Sequence, residues 1–446
     1  MGKHLQCVRK AARATFTGSA PHSATKTGKC RMRSRRAFHD MSLPPPTPTP
    51  RYDNLDGGMP GWLILMGALT AIGPFSIDMY LPAFPTIAQS MEVPRGDVER
   101  TLAAYLIGMA MAQIVYGPLA DRFGRKLPMM VGLALYILAS VACALAGNIE
   151  ALTGWRVIQA LGGAAGVVIP RAVIRDHYDT QDAARAMSLL MLIMGLAPIL
   201  APLAGGQLLA FVGWRSLFWL MALAGAAMLI SVIGIMKESL PAERAIPLRW
   251  GTILGNYAAL LSHRSFIAHS LAGGLGQAGM FAYIVGSPQI FIELYGVPPQ
   301  YYGLLFGANA AALIIGSQVS ARLLRRLAPP TLQRRAQNAL ALASLAAVAF
   351  TLGGLMSLPL LMACLIGYMF SQGFVNPNSA ALALSEQGRR LGAASAMLGT
   401  LQLSCGALAG LLISIWQMQS ALPLTTVLAA CACLSWVAGR VARHGT

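Results

Sequence analysis

Two ionisable residues stand in apolar surroundings: Asp78, in FSIDMYLPAFP (75–85), and Arg156, in RVIQALGGAAG (156–166). A charge placed inside an apolar segment costs about 3 kcal/mol, so it marks a function by default. A buried carboxylate can take up or release a proton as its access changes, and a nearby arginine opposes uptake. The chemistry on offer is proton exchange. The plainer readings are a static buried ion pair, or Asp78 capping a helix break between Pro74 and Pro82. A second charged set lies in GPLADRFGRKLPMM (117–130), with Asp121 among Arg122, Arg125 and Lys126, and with Gly117 and Gly124 alongside. A carboxylate at a helix end can pair with an arginine or with an incoming helix N-terminus, and so latch one of two arrangements. Gly117 would permit a close helix crossing. The alternative is that these charges only set topology.

The elements that position these groups follow from composition. The chain is 56% hydrophobic and 11% charged, whereas soluble domains carry about 25% charged residues. So few charges cannot coat a soluble protein of this size, but they suit a surface facing lipid. The net charge of +18 is not a nucleic-acid signal, because half of it sits in the first 40 residues without aromatic interleaving or a folded reader. Residues 1–60 are basic and proline-rich and read as a disordered tail, with Met41 an alternative translation start. Cys7 and Cys30 lie in that tail, and the other five cysteines lie in apolar segments as packing residues. Neither a disulfide nor a metal site is expected.

Twelve apolar spans follow, at 61–84, 98–118, 127–147, 152–174, 185–210, 215–236, 265–288, 301–323, 337–356, 358–384, 393–416 and 421–441. Most reach the roughly 20 residues that cross a bilayer. The expected fold is an all-α integral membrane protein with 12 transmembrane helices in two six-helix halves, 61–236 and 265–441. The loop at 237–264 separates them, its later part (250–266) amphipathic, and 442–446 forms a short C-terminus. Lys and Arg concentrate in the tail, the loops after even-numbered spans and the C-terminus, which places both termini in the cytoplasm. Arg122-x-x-Arg125-Lys126 after span 2 is echoed by Arg322-x-x-Arg325-Arg326 after span 8, a sign of repeated halves.

On these spans the motifs resemble those of a known family. GPLADRFGRK and the RVIQALGG stretch are similar to signatures of the major facilitator superfamily. GLAPILAPLAGGQL (195–208) resembles the antiporter motif of its drug:proton exporters, with Ala201 where a glycine is usual. FSIDMYLPAFP and RAVIRD (171–176) resemble the Bcr/CflA multidrug-resistance group. The resemblance covers 61–441. It implies proton-coupled export of drugs or other amphipathic small molecules across the bacterial inner membrane, with Asp78 and Arg156 coupling protons. It gives the 117–126 set a gating role. Gly195, Pro198, Pro202, Gly205 and Gly206 would limit proton leak and bias transport outward.

Asp78 lies about 9 Å of helix rise from the outer end of span 1 and Arg156 about 6 Å from that of span 4, so depth permits a pair. Tyr80, Tyr105, Gln159, Gln277, Tyr283, Asn309, Asn376 and Gln402 are candidates for a mixed substrate cavity, or for interhelical hydrogen bonds. His269 reads as interfacial, and Glu293 and Glu386 as solvated span ends. Expected partners are a small molecule, protons and the bilayer, with no nucleic acid; the protein is expected to act as a monomer, driven by the proton gradient without a cofactor. Export of one metabolite or sugar is the nearest alternative. A membrane enzyme or sensor would need a catalytic cluster or a soluble domain, and no HExxH, GxSxG, Walker loop or metal-ligand set is present.

Overall fold

The computed structural model describes residues 60–178, 180–240, 250–416 and 420–444; the reading of the tail as disordered lies outside them. The spans become α1 (Gly61–Asp78) with α2 (Phe84–Met91), α3 (Arg95–Phe123), α4 (Lys126–Ala144), α5 (Ile149–His177), α6 (Thr180–Val212) and α7 (Arg215–Ile235). After the amphipathic α8 (Trp250–Leu261) come α9 (Arg264–Pro288), α10 (Pro299–Leu323), α11 (Pro329–Leu352), α12 (Leu358–Leu384), α13 (Leu391–Ile415) and α14 (Leu422–His444). Some helices run past their expected apolar stretch, as α3 and α5 do where backbone bonds continue into the polar turns, whereas α4, α7 and α11 end short of theirs.

Eleven spans among the described residues are long and apolar enough to cross a membrane. The remaining one, α9, has a comparable 25 residues but is rich in glycine and carries His269, Ser270 and Gln277. Most of its residues are buried, so helix neighbours rather than lipid surround it. Elsewhere large apolar side chains such as Leu138, Phe211, Ile230, Leu342 and Leu408 stand exposed around the bundle. Water would not tolerate so much apolar surface, but a bilayer requires it.

Packing in the first six spans recurs in the last six. Spans 2 and 3 pack on span 4 as spans 8 and 9 pack on span 10, and span 3 meets span 6 as span 9 meets span 12. The two sets join mainly through α3 with α13 and α6 with α10, again a matched pair. Span 1 is interrupted by a 3-10 turn at Leu81–Ala83, where Pro82 supplies no N–H. Span 7 loosens at the equivalent level into a π-helical turn, Gln289–Leu294, directly after Pro288.

Candidate functional site

Arg156 is fully buried on α5. It donates from Nη1 to Gln159 Oε1 at 2.6 Å and from Nη2 to the Ser76 carbonyl at 3.0 Å. That carbonyl is free because α1 ends at Asp78, and the last four carbonyls of a helix lack helical partners. The guanidinium lies over the rings of Tyr105 and Tyr80, 4.2 and 4.7 Å from their centroids. Gln159 donates on to Ser140 at 2.8 Å, and Ser76 and Tyr136 share a hydroxyl bond at 2.7 Å. This network ties α1 to α4 and α5.

Asp78 does not join it, which corrects the expected pair. Ser76 and Tyr80 face Arg156, and Asp78 lies two residues from each, hence about 200° around the helix. Shared depth was not enough; Asp78 leaves α1 on the face turned away from Arg156. Asp78 is 3% exposed and, among the described residues, has no ion pair or hydrogen bond. Nor does it cap the break after α1. Its electrostatic neighbours are Tyr283 of α9 and Tyr302 of α10, so it faces the other half. Tyr283 accepts from Asn309 at 3.1 Å and stacks on Phe306, and Tyr302 shares a 2.7 Å bond with Ser287.

The 117–126 set forms a compact cluster at the end of the bundle that carries the Lys/Arg-rich loops, the basic end. Arg125, almost buried, donates to Asp121 at 2.6 Å and to Asp176 at 3.0 Å. Ser239 donates to the same Asp176 oxygen at 2.9 Å. Burial opposes the charge on Arg125, but its bonds to Asp176 and Asp121 outweigh that and hold the guanidinium above its ordinary range. Glu238, just past α7, accepts backbone N–H bonds from Arg125 at 2.7 Å and Lys126 at 3.0 Å, and also from Ser239 and Leu240. It thereby satisfies the first turn of α4 and complements its dipole. Burial alone would raise this carboxyl; the four N–H bonds more than offset it and hold it below the usual range. Gly124 has φ +82°, and a Cβ there would overlap the Glu238 carboxylate, so only glycine fits. Lys126 returns the favour by donating to the Ile233 carbonyl near the end of α7 at 2.9 Å. Of the two contacts open to Asp121, it makes the one with an arginine, Arg125, and the helix N-terminus is taken by Glu238. Gly117 makes no close crossing, with no atom near its would-be Cβ.

The antiporter-like motif lies on α6, which runs through Pro198 and Pro202 as one helix. Gly205 faces Met79 of span 1, whereas Gly195 faces Ile314 and Gly206 faces the Pro299 carbonyl, both on α10. The Gly195 contact lies near mid-helix, and those of Gly205 and Gly206 belong to the end of the bundle away from the basic loops, which is closed. There Gly96 lies so close to the Ser414 carbonyl that a Cβ would overlap it. Arg95 pairs across the halves with Glu293, which is therefore not the solvated end expected of it. Glu99, one turn along from Arg95 and 2% exposed, is a second buried carboxylate. Glu386 remains exposed beside His263, and His269 is buried rather than interfacial. The five described cysteines are free.

A cavity of about 730 Å³ opens at the basic end between α3, α5, α8 and α13. None of the eight polar candidates lines it. Tyr80, Tyr105 and Gln159 surround Arg156; Tyr283 and Asn309 bond each other; Gln402 donates to Asn376 at 2.9 Å. Gln277 is set in α9 with a buried, unpartnered carbonyl oxygen. Away from water, polar side chains are consumed in satisfying one another, which removes them from the cavity wall.

The Major Facilitator Superfamily family model matches residues 66–410. This chain belongs to the Major Facilitator Superfamily. It is 36% identical over 355 residues to an uncharacterised MFS-type transporter, YdgK, of Bacillus subtilis (strain 168), covering 79% of this chain and 88% of the relative. It is 30% identical over 380 residues to a bicyclomycin resistance protein homolog of Haemophilus influenzae, covering 84% and 94%. Multidrug resistance protein MdtL of Escherichia coli O157:H7 is 32% identical over 383 residues, again covering 84% and 94%. Among solved structures, a peptide transporter POT in complex with alafosfalin shares the fold, with TM-score 0.70, 16% identity, and coverage of 89% of this chain and 96% of that one.

As a member of this superfamily the protein is a multi-pass membrane transporter for small molecules. Three residues of the basic-end cluster escaped the sequence reading as members of one network: Asp176, Glu238 and Ser239. Asp176 was visible within RAVIRD. Glu238 and Ser239 gave no local signal, since Glu238 acts on a turn more than 100 residues away in the chain and Ser239 on Asp176, 63 residues away.

Proposed function

We propose that this transporter exports amphipathic small molecules, drugs among them, from the bacterial cytoplasm in exchange for protons. The observation that carries the reading is Asp78, a carboxylate buried at the junction of the two halves with no cation paired to it. An unpaired charge there is costly, so gain or loss of one proton changes the energy of the junction more than at any solvated site. The Arg156 network fixes the end of α1, so that change falls on the contact with α9 and α10. The names of the Haemophilus and Escherichia relatives support drugs as cargo. The Lys/Arg bias of the loops supports an orientation with the open end and both termini on the cytoplasmic side, and this reading takes the membrane to be the bacterial inner one. It works as a monomer, with the proton gradient as its energy source and no cofactor.

The test is Asp78→Asn, which keeps size and removes titration. Inverted vesicles carrying this variant should release no protons on adding a confirmed drug substrate, at an expression level equal to wild type. Undiminished drug-dependent proton release would refute the assignment.

A further inference from the structure

Arg171 and Arg175 stand one turn apart on α5, and both line the cavity at the basic end. Neither makes an ion pair or hydrogen bond among the described residues, and the Arg171 Nε is buried without a partner. Two like charges four residues apart on a helix repel each other. Neither of the cavity's carboxylates bonds to them: Asp121 and Asp176 both contact Arg125, and three arginines against two carboxylates leave the lining one positive charge in excess. Arg171 also lies about 9 Å of rise inside α5 from its end at His177, where an uncompensated cation marks a ligand path. Beside the two guanidinium groups the wall is apolar, with Val167 and Val168 on α5 and Ile253 across the cavity on α8. A volume of about 730 Å³ suits a drug-sized molecule.

The geometry points to a binding site for an amphipathic organic anion. Its carboxylate, sulfonate or phosphate is held by Arg171 and Arg175, and its apolar body lies on Val167, Val168 and Ile253. This rests on the export reading above and narrows its cargo. Arginine is the side chain for the task, since its planar fork binds an oxyanion through two donors and keeps its charge away from bulk water. An anionic lipid headgroup offers the same oxyanion chemistry, so the experiment separates the two sources.

The full-length protein is placed in phosphatidylcholine nanodiscs and titrated with two probes on one ring system, naphthalene sulfonate and naphthylmethylammonium. Wild type should bind the anion about tenfold tighter than the cation, the worth of a charge-assisted hydrogen bond. Arg171→Gln should erase the preference by weakening the anion alone, and Arg171→Lys should restore part of it while showing that the fold persists. Equal affinity for both probes in wild type, or an intact preference in Arg171→Gln, overturns the proposal. In a second arm, phosphatidylglycerol is added to the discs. Retention of that lipid by wild type but not by Arg171→Gln, with loss of sulfonate binding, assigns the site to lipid and also overturns the proposal. No proton movement is read here, so failure leaves proton exchange to be judged on Asp78 alone.

Discussion

The two ends of the bundle are built on different principles. At the closed end the halves meet through backbone, with Gly96 against the Ser414 carbonyl and Gly206 against that of Pro299, and one ion pair, Arg95–Glu293, crosses between them. At the basic end charges are more numerous, yet Arg125, Asp121, Asp176, Ser239 and Glu238 all belong to the first half and the segment leaving it. Between the halves, α3 and α13 instead meet through packing and neutral bonds, with Gly399 against Gln113 and Thr400 donating to the Ala110 carbonyl at 3.1 Å. Close packing joins the halves, and charge braces one of them internally. A charged motif at a transporter's rim need not be a clasp between moving parts; in this state it stiffens one part, so that the other can move against it.

The strongest way to break this comparison is Gly96→Val. Its side chain overlaps a carbonyl that cannot swing aside, and overpacking of this kind costs about 1–3 kcal/mol. The state open at the far end should gain about 5- to 150-fold in population. Labelling of a cysteine introduced at Thr101 by an impermeant thiol reagent should rise accordingly, and export should fall. Labelling equal to wild type would mean that the seal lies elsewhere.

Next comes Arg125→Ala, which strands Asp121 and Asp176 together without a cation. The loss should be about 1–3 kcal/mol of stability, read as a lowered melting temperature of the purified protein. Asp121→Asn should cost less, under about 1 kcal/mol, because the Asp121 side chain is 45% exposed and solvent screens its pair. If the cluster braces one half only, neither variant moves the labelling that Gly96→Val moves. A labelling change would show that the cluster also reaches across.

The smallest effect belongs to Glu238. Its carboxyl titrates lower in the folded protein than in the unfolded chain, so its contribution is complete above the unfolded value of about 4.3 and disappears as pH falls through the lower folded value. The melting-temperature gap between wild type and Glu238→Gln should hold steady from pH 7 to about 5 and shrink below that. At this exposed position the cap is worth under about 1 kcal/mol. A gap that widens on acidification would contradict the capping role.

All twelve spans were legible because crossing a bilayer demands a long apolar run, a signal that is local and repeated. The depth of Asp78 and Arg156 was legible for the same reason, but their pairing also depended on direction around the helix. That information was present: Ser76 and Tyr80 flank Asp78 at a spacing that places it on the opposite face. The role of Gly124 was half legible. A glycine after a helix predicts a turn, but not that a carboxylate more than 100 residues later fills the space left by its missing side chain. The cavity was least legible, since polar residues inside spans serve bonding and binding alike. Arg171 was in view within RAVIRD, and only the absence of a partner separates it from Arg125.

The closed end also has a genetic consequence. A seal made by glycines depends on atoms that are missing, and any base change at the first or second position of a glycine codon encodes a side chain or a stop. Replacing Gly96 or Gly206 therefore adds bulk at a point where the facing backbone cannot retreat. Loss of the seal should arise by single steps at several codons, whereas a second mutation elsewhere can restore it only by moving a helix. In a population freed from selection for export, these codons should be among the first to record the change.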